Sequence, residues 1–258
     1  MTYRCAVIGN PIAHSQSPDI HAGFAREHGI DLQYTRILAE ADTFEHTVKD
    51  FFAQGGRGLN ITLPFKETAF ALATRHTPYA QTARAANTLW MDNGELWADN
   101  TDGRGLRLAL ERDHGLSLAG KRILILGAGG AARGVVLPLA EAHPAAIHLA
   151  NRTPDKAHDI VAAHHSRTAV PLAAYPLTEL SHLAHYDLIL NATSAGLHDD
   201  TLALPANLIH AHTFAYDMLY GKDTAFLRWA AAHRLPYADG YTMLVNQARL
   251  SFQQWFHV

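Results

Sequence analysis

The sequence has one cysteine, no long apolar run and no excess of positive charge, and each absence excludes a class of protein. The single cysteine, Cys5, cannot form a disulfide within the chain, and its apolar neighbours predict that it packs as a small hydrophobic side chain. No stretch is apolar for long enough to span a bilayer, and Arg133 interrupts the best candidate. The N-terminal residues, MTYRCAVIGNP, lack the apolar segment of a secretory signal. Together these features predict a cytoplasmic protein with no membrane contact.

The charge balance argues against nucleic acid as a partner. Lysine and arginine number 21 against 24 aspartates and glutamates, which gives a net charge of −3. The 18 histidines invite a metal site, but no H-E-x-x-H occurs, and the adjacent His164 and His165 would point apart on a helix. We therefore expect no metal. Hydrophobic residues at 48% and charged residues at 17% predict an ordered globular protein of one large or two modest domains.

Short apolar runs alternate with helical patterns along the whole chain, which predicts an α/β fold. In the first hundred residues, strands are predicted over residues 5–9, 32–38 and 57–64, and a hairpin over 88–91 and 95–99 around Asn93-Gly94. Ser17, followed by Pro18, is expected to cap a first helix that Gly29 ends. Thr43 is expected to cap a second helix that runs to Gln54.

The pattern changes from Lys121 onwards. After a helix at about 105–114, the apolar runs RILILG, 146–151, 186–194 and 214–218 are continuous rather than alternating, which predicts a parallel sheet covered on both faces. Residues 241–256 form one long terminal helical pattern. We therefore predict two α/β domains: residues 1–101 with 239–258, and a Rossmann-type domain over 102–238.

The run RILILGAGGAARG places a buried strand, a glycine turn and a helix start in immediate succession. Its G-x-G-x-x-A pattern consists of Gly127, Gly129 and Ala132. The first glycine permits a tight turn, the second lets backbone N–H groups approach a pyrophosphate, and the small third residue lets helix and strand pack closely. This pattern predicts dinucleotide binding by the main chain at a helix N-terminus, the alternative being a purely structural turn.

The end of the next strand indicates which dinucleotide binds. NAD sites usually carry an acidic residue there, whereas this strand ends in Asn151-Arg152-Thr153, with Lys156 one turn further. Arginine and lysine attract the 2′-phosphate of NADP, which a carboxylate would repel. The sequence thus favours NADP as cofactor, although the two cations are also compatible with a solvated first helical turn.

Four polar clusters stand at or just after predicted strand ends in the first part of the chain: GNPIAHSQSP, NITLPFK, AANT and DNTDG. They supply the hydroxyls, the amine, the amide and the carboxylate that would bind a small polyhydroxylated anion, namely Ser15, Ser17, Thr62, Lys66, Asn87 and Asp102. Singly, each has a structural explanation as a helix cap, a turn residue or a surface lysine. Their joint occurrence beside a predicted redox fold favours a substrate site.

These clusters, with GAGGAAR, NRT, NATSAG and LVNQA, resemble the shikimate dehydrogenase family over nearly the whole chain. The resemblance implies NADP-dependent interconversion of 3-dehydroshikimate and shikimate in aromatic amino-acid (chorismate) biosynthesis, by two domains with the active site in the cleft between them. It implies that Ser15 and Ser17 contact the substrate carboxylate with Tyr220 nearby. The ring hydroxyls would be contacted by Thr62, Lys66, Asn87, Asp102 and Gln247.

The resemblance also implies that NADP is bound by two segments and three further residues. These are Gly127, Ala128, Gly129, Gly130 and Ala131; Asn151, Arg152, Thr153 and Lys156; and Thr193, Met218 and Gly240. Lys66 and Asp102 are the candidates for handling the proton that accompanies hydride transfer, because a nearby carboxylate favours the charged, proton-donating form of a lysine. We expect no partner beyond these small molecules, and a monomer or homodimer.

Three alternatives remain open at this stage. One is a quinate/shikimate dehydrogenase that uses NAD, against which the Asn-Arg-Thr strand end argues. A second is a shikimate-binding sensor without turnover, which would not need both Lys66 and Asp102. A third is a small Rossmann dehydrogenase for another carbonyl or folate substrate, which would not need Ser15 and Ser17 as a pair.

Overall fold

The structure, a computed structural model, describes residues 1–193 and 204–258. It divides into two compact units. Unit 1 comprises Met1–Gly105 with Val245–Val258, and unit 2 comprises Leu106–Leu244. Each unit is built on a six-stranded sheet with helices, so the predicted α/β class is confirmed.

Unit 1 contains a mixed sheet. Its strands are β1 (Tyr3–Gly9), β2 (Leu32–Leu38), β3 (Gly58–Ile61), β4 (Arg75–His76), β5 (Thr88–Asp92) and β6 (Glu95–Asp99), in the order β2-β1-β3-β5-β6-β4. The first three strands are parallel, and β3, β5 and β6 pair antiparallel. The predicted hairpin is confirmed: Asn93 and Gly94 both have positive φ, as a two-residue turn between twisted strands requires.

The helices of unit 1 are α1 (Ser17–Glu27), α2 (Phe44–Ala53), α3 (Lys66–Leu72), α4 (Pro78–Ala83) and the start of α5 (Asp102–Leu108), with the C-terminal part of α9 (Tyr241–Phe256). The prediction that Ser17 caps α1 is wrong. Gln16 occupies the cap position, and Ser17 is the first helical residue, its hydroxyl paired with that of Ser15 at 3.2 Å. Thr43 does occupy the cap position of α2, but its side chain makes no capping bond to that helix.

Two boundaries near the polar clusters also differ from those predicted. β3 ends at Ile61 rather than Pro64, because the Phe65 N–H turns back to the Thr62 carbonyl at 3.0 Å. The helix predicted to begin at Gly105 begins at Asp102. The Asn100 side-chain oxygen accepts the Asp102 N–H at 3.1 Å and so satisfies one of the free donors at the helix start.

The core of unit 1 contains a buried histidine among aromatic rings. His21 has no exposed surface and stacks on Tyr34 and Trp255, with ring centroids 4.3 and 5.3 Å apart. Burial lowers the pKa of His21 to about 3, and the nearby Asn60 offsets only part of this effect. The ring is therefore neutral at physiological pH. Cys5 is buried as expected, and burial raises the pKa of its thiol to about 12.

His21 makes the fold sensitive to acid. The unfolded chain takes up a proton on this ring below about pH 6.5, whereas the folded chain does so only near pH 3, so stability is lost as the pH falls through this window. Between pH 7 and pH 5, we expect the free energy of unfolding to fall by about 1–2 kcal/mol less in His21→Phe than in the wild type. Urea unfolding at both pH values measures it. His158→Phe, at an exposed position on a helix, is the control. An unchanged pH slope in His21→Phe would contradict the assignment.

Unit 2 contains a wholly parallel sheet, as the continuous apolar runs predict. Its strands are β7 (Arg122–Leu126), β8 (Ala146–Asn151), β9 (Leu172–Pro176), β10 (Leu188–Asn191), β11 (Phe214–Asp217) and β12 (Tyr237–Ala238), in the order β12-β11-β10-β7-β8-β9. Its main helices are α6 (Gly130–Ala140), α7 (Pro154–His164) and α8 (Ala225–Ala232). Side chains of this sheet belong to two separate buried hydrophobic clusters, one that contains Val135 of α6 and one that contains Ile189 of β10. Two clusters are what a sheet covered on both faces requires.

Strand β9 and the short β12 are absent from the sequence prediction. The sequence of β9, LAAYP, is rich in alanine and ends in proline, and both residue types are unfavourable in strands. The strand forms nevertheless because it lies at the edge of the sheet, where proline is tolerated. β10 spans only Leu188–Asn191 of the predicted 186–194, and Ser194 lies outside the described residues. In the described part of the chain, no helix combines the length and the apolar character needed to cross a membrane.

Candidate active site

In unit 1, a lysine and an aspartate from two helix starts form a close ion pair. Lys66 is the first residue of α3, after the loop that leaves β3, and Asp102 is the first residue of α5, after β6. The Lys66 Nζ donates to Asp102 Oδ2 at 2.6 Å. Their side chains are 29% and 17% exposed, so the pair is partly shielded from water yet open enough to exchange protons with it.

Asn87 holds the other oxygen of the same carboxylate. Its Nδ2 donates to Asp102 Oδ1 at 2.8 Å and to Gln247 Oε1 at 3.1 Å. Its Oδ1 accepts the Thr101 N–H and the Thr88 hydroxyl, both at 2.9 Å. Since donors occupy the oxygen, the amide can point only its NH₂ towards Asp102. The structure thus brings together four predicted site residues, Lys66, Asn87, Asp102 and Gln247.

Gln247 reaches this cluster because helix α9 passes very close to α5. A Cβ atom at Gly105 would lie 2.7 Å from the Gln247 backbone nitrogen, so only glycine fits there. Ser251, one turn further along α9, accepts from the Asn60 Nδ2 at 3.0 Å and bonds the Thr88 hydroxyl at 2.6 Å. These buried contacts fix the position of α9 beside the ion pair.

Three hydroxyl residues beside Asn87 are not among the predicted site residues. Thr88 and Thr101 donate to Asn87 Oδ1 and so orient it, and Ser251 bonds the Thr88 hydroxyl. All three have fully buried side chains. Thr88 and Thr101 belong to the polar clusters AANT and DNTDG, so their place in the sequence indicates that they lie near the site. Ser251 stands one helical turn after Gln247, and that spacing is the only sign in the sequence that it lies on the same face.

The hydroxyls of Ser15 and Ser17 form a second small group in unit 1. They lie 3.2 Å apart, and the Ser17 N–H donates to Ser15 Oγ at 3.3 Å. Ser15 is half-buried in the loop that follows β1, and Ser17 is buried at the start of α1. Thr62 is half-buried in the loop after β3, where its N–H donates to the Ile8 carbonyl at 2.9 Å. Because β1 and β3 are parallel, both loops leave the same edge of the sheet.

In unit 2, the glycine loop between β7 and α6 has the shape that a pyrophosphate requires. Gly127 has a φ of +107°, and a Cβ there would lie 3.0 Å from the Ala192 carbonyl oxygen. Among residues 1–193 and 204–258, no atom lies within 4 Å of a Cβ built at Gly129 or Gly130, so none of them covers the backbone at the N-terminus of α6. Ala132 is fully buried, which allows the close packing of helix and strand. Ala128 is buried and Ala131 exposed. The loop fits the diphosphate of a dinucleotide.

The strand end at Asn151 is followed by two exposed cations, Arg152 and Lys156. Asn151 Nδ2 donates to the Thr153 carbonyl at 2.8 Å, which folds the chain into the start of α7. Arg152, Thr153 and Lys156 are exposed. Within residues 1–193 and 204–258, neither cation forms an ion pair with a carboxylate. Two such cations at a helix start are unfavourable by the helix dipole, and an anion bound there would compensate them.

Thr193, Met218 and Gly240 are connected through one buried network in unit 2. The N–H and hydroxyl of Thr193 donate to Asn191 Oδ1 at 3.2 and 2.7 Å, and the Met218 N–H donates to the Asn191 carbonyl at 3.0 Å. The Gly240 N–H donates to the Leu219 carbonyl at 2.9 Å, next to Met218. Ser194, Ala195 and Gly196 of the NATSAG motif lie outside the described residues.

Asn191 and Asp217, which hold this network, are not among the predicted residues. Asn191 Nδ2 donates to Asp217 Oδ2 at 3.1 Å, and the Thr224 hydroxyl donates to the same oxygen at 2.6 Å. Burial raises the pKa of the Asp217 carboxyl, and its hydrogen bonds oppose this shift. Tyr220, which the family resemblance places near the substrate carboxylate, is half-buried in unit 2, and burial raises the pKa of its hydroxyl. In the described residues, no three histidine, cysteine or acidic side chains are arranged to hold a metal ion.

Comparison with known proteins identifies the family. Residues 7–89 match the model of the shikimate dehydrogenase substrate-binding domain, and residues 108–199 match that of shikimate/quinate 5-dehydrogenase. A shikimate dehydrogenase (NADP(+)) of Acinetobacter baumannii strain SDF is 48% identical over 256 residues, which is 99% of this chain and 96% of that protein. This chain belongs to the shikimate dehydrogenase family.

Other members of the shikimate dehydrogenase family agree over the whole length. The shikimate dehydrogenase (NADP(+)) of Herminiimonas arsenicoxydans is 48% identical over 260 residues, covering 99% of this chain and 92% of that protein. The crystal structure of shikimate 5-dehydrogenase from Thermus thermophilus in complex with NADP(H) and shikimate superposes with a TM-score of 0.86 at 34% identity, covering 99% of this chain and 94% of that one. The match to the family's substrate-binding model falls in unit 1, and the other match in unit 2.

Proposed function

We propose that this member of the shikimate dehydrogenase family catalyses the NADPH-dependent, reversible reduction of 3-dehydroshikimate to shikimate in aromatic amino-acid biosynthesis. The observation that carries the proposal is the Lys66–Asp102 pair, held by Asn87 and Gln247 in the unit that matches the family's substrate-binding model. A purely binding protein needs hydrogen bonds to its ligand but no proton donor fixed by a carboxylate.

NADPH, when bound, supplies the hydride that converts the ketone carbon to an alcohol carbon. The chain must then provide one proton to the forming alkoxide oxygen. The Lys66 ammonium donates it, and Asp102, 2.6 Å away, accepts a hydrogen bond from the ammonium and so fixes its position. The resulting neutral amine regains a proton from water, which the 29% exposure of the Lys66 side chain permits. In the oxidative direction the neutral amine accepts the hydroxyl proton.

The substrate is held by the remaining polar groups of the site. The Ser15 and Ser17 hydroxyls donate hydrogen bonds to the substrate carboxylate, with Tyr220 nearby. The ring hydroxyls are bound by Thr62, Lys66, Asn87, Asp102 and Gln247. The buried position of Asn87 and its saturated oxygen preorganise this set before substrate arrives.

NADP is held by three groups of residues in unit 2. The backbone of residues 127–131 binds the diphosphate at the start of α6, and the assignment is supported because no described residue covers Gly129 or Gly130. Asn151, Arg152, Thr153 and Lys156 bind the adenosine end, the two cations facing the 2′-phosphate. Thr193, Met218 and Gly240 complete the site beside the Asn191–Asp217 network.

The division of labour follows the chain. We assign substrate binding to residues 1–101 with 239–258 and NADP binding to residues 102–238. The two compact units divide a few residues later in each case, after Gly105 and after Leu244, so Asp102 belongs to unit 1 and Gly240 to unit 2. The matches at 7–89 and 108–199 support this division. The enzyme works in the cytoplasm as a monomer or homodimer, and its single cysteine is compatible with a reducing compartment.

A side-by-side assay tests the function. The purified protein is given shikimate or quinate with NADP or NAD, and formation of the reduced nicotinamide is followed by its absorbance. We expect shikimate with NADP to be oxidised at least about tenfold more efficiently than any other pair. Preference for quinate with NAD would favour the quinate/shikimate alternative, and binding of shikimate without turnover would favour a sensor.

A further inference from the structure

The loop that presents Ser15 and Ser17 is held by an arginine from a neighbouring strand. Arg36 lies on β2, directly opposite Val7 of β1 in the sheet. Its Nε and Nη2 both donate to the Ser15 carbonyl oxygen, at 2.9 and 2.6 Å. The Ser15 N–H donates to the Ile12 carbonyl at 3.0 Å, so both main-chain polar groups of Ser15 are occupied. This arrangement fixes the peptide from which the Ser15 hydroxyl projects.

The same guanidinium is a source of positive charge at this loop. Arg36 is exposed, and in the described residues no carboxylate pairs with it. Ser15 and Ser17 themselves are neutral hydroxyls. A carboxylate bound by neutral groups is stabilised by a cation a few ångströms away, and the effect weakens as salt screens it.

We propose that Arg36 is a positioning and specificity-determining residue for an anionic substrate: it locks the Ser15 main chain and supplies the charge that favours a carboxylate over a neutral group. This rests on the proposed function, which places the substrate carboxylate at Ser15 and Ser17. Arg36 acts through Ser15 and through its field, with no direct contact to substrate required.

Two variants separate the two contributions of Arg36. Arg36→Met removes both the fork and the charge, whereas Arg36→Lys keeps the charge and loses the planar two-donor fork. Arg4→Met is the matched control, because Arg4 is an exposed arginine of the same unit that donates to a main-chain carbonyl, that of Gln54, at 3.2 Å. Arg4 stands near the amino end of β1, the strand end away from the loop that carries Ser15.

The readout is steady-state oxidation of shikimate compared with its neutral methyl ester. In Arg36→Met we expect KM for shikimate to rise about 10- to 100-fold with kcat within about twofold, because a positive charge near the bound carboxylate is lost together with the two bonds that hold the Ser15 carbonyl. The KM of the ester should change less than about threefold. If the ester is not oxidised, its inhibition constant against shikimate is measured instead, with the same expectation. Arg36→Lys should lie between, and its KM should rise more steeply with salt than that of Arg36→Met. Arg4→Met should match wild type.

Equal losses for shikimate and its ester would overturn the inference, because Arg36 would then stabilise the loop without distinguishing a carboxylate from a neutral group. No loss with either compound would overturn the whole inference. A wild-type enzyme that does not oxidise shikimate at all would remove the proposed function, and this inference with it. If the wild-type enzyme oxidises shikimate and Arg36→Met gives either of the first two results, the proposed function stands and only the inference about Arg36 is overturned.

Discussion

Lys66→Met is expected to lower kcat by roughly 10²- to 10⁴-fold while KM for shikimate changes only a few-fold, because positioned acid–base catalysis is worth about that much. The methionine side chain keeps the length and much of the apolar contact of lysine but has no proton to give. In the structure, Lys66 Nζ lies 2.6 Å from Asp102 Oδ2, so the variant also leaves that carboxylate without its cation. Steady-state kinetics in both reaction directions measure the effect.

Lys49→Met is the matched control for this variant. Lys49 is a surface lysine of unit 1, 65% exposed and paired with Glu45 on the same helix, and its loss should leave kcat unchanged. An unchanged kcat with a raised KM in Lys66→Met would retire the proton-transfer role and leave Lys66 a binding residue.

Asp102→Asn extends the test to the other half of the pair. An amide has no negative charge and one acceptor oxygen fewer with which to hold the Lys66 ammonium, so we expect a loss of similar order in kcat. Since the two groups act as a unit, the double variant should lose little more than Lys66→Met alone. Additive losses would mean that Asp102 acts on the substrate independently of Lys66.

The parts of this site that follow from local sequence were predictable. The strand, glycine turn and helix of residues 122–140 are set by neighbouring residues, and the structure places β7 and α6 where the pattern predicts them. The terminal helix is likewise confirmed at residues 241–256. Local patterns suffice here because each element depends on residues a few positions away.

The contacts between distant segments could not be read in the same way. Lys66 meets Asp102 because α5 starts early, and Asn100 rather than a residue pattern in α5 fixes that start. Asn87 presents its NH₂ to Asp102 because Thr88 and Thr101 occupy its oxygen, which is a consequence of strand register. The positions of strand ends predict which side chains share the cluster. They do not predict how each side chain is oriented, because the orientation depends on buried hydrogen-bond partners.

The second large effect is expected at the cofactor. Arg152→Ala should raise KM for NADP by about 10- to 100-fold and change that for NAD less than about threefold, because a charge-assisted bond to the 2′-phosphate is lost and NAD has no such group. Arg152 is exposed at the start of α7 and has no carboxylate partner in the described chain, so its removal should cost the fold little.

Arg167→Ala, at an exposed arginine of the same unit, is the control and should leave both cofactors unaffected. Lys156→Ala alone should weaken NADP binding less, because an ammonium contributes a point charge without the planar fork of arginine. If Arg152→Ala weakens NADP and NAD equally, the residue stacks on the adenine or supports the loop. Cofactor choice would then depend on groups other than the cations at the end of β8.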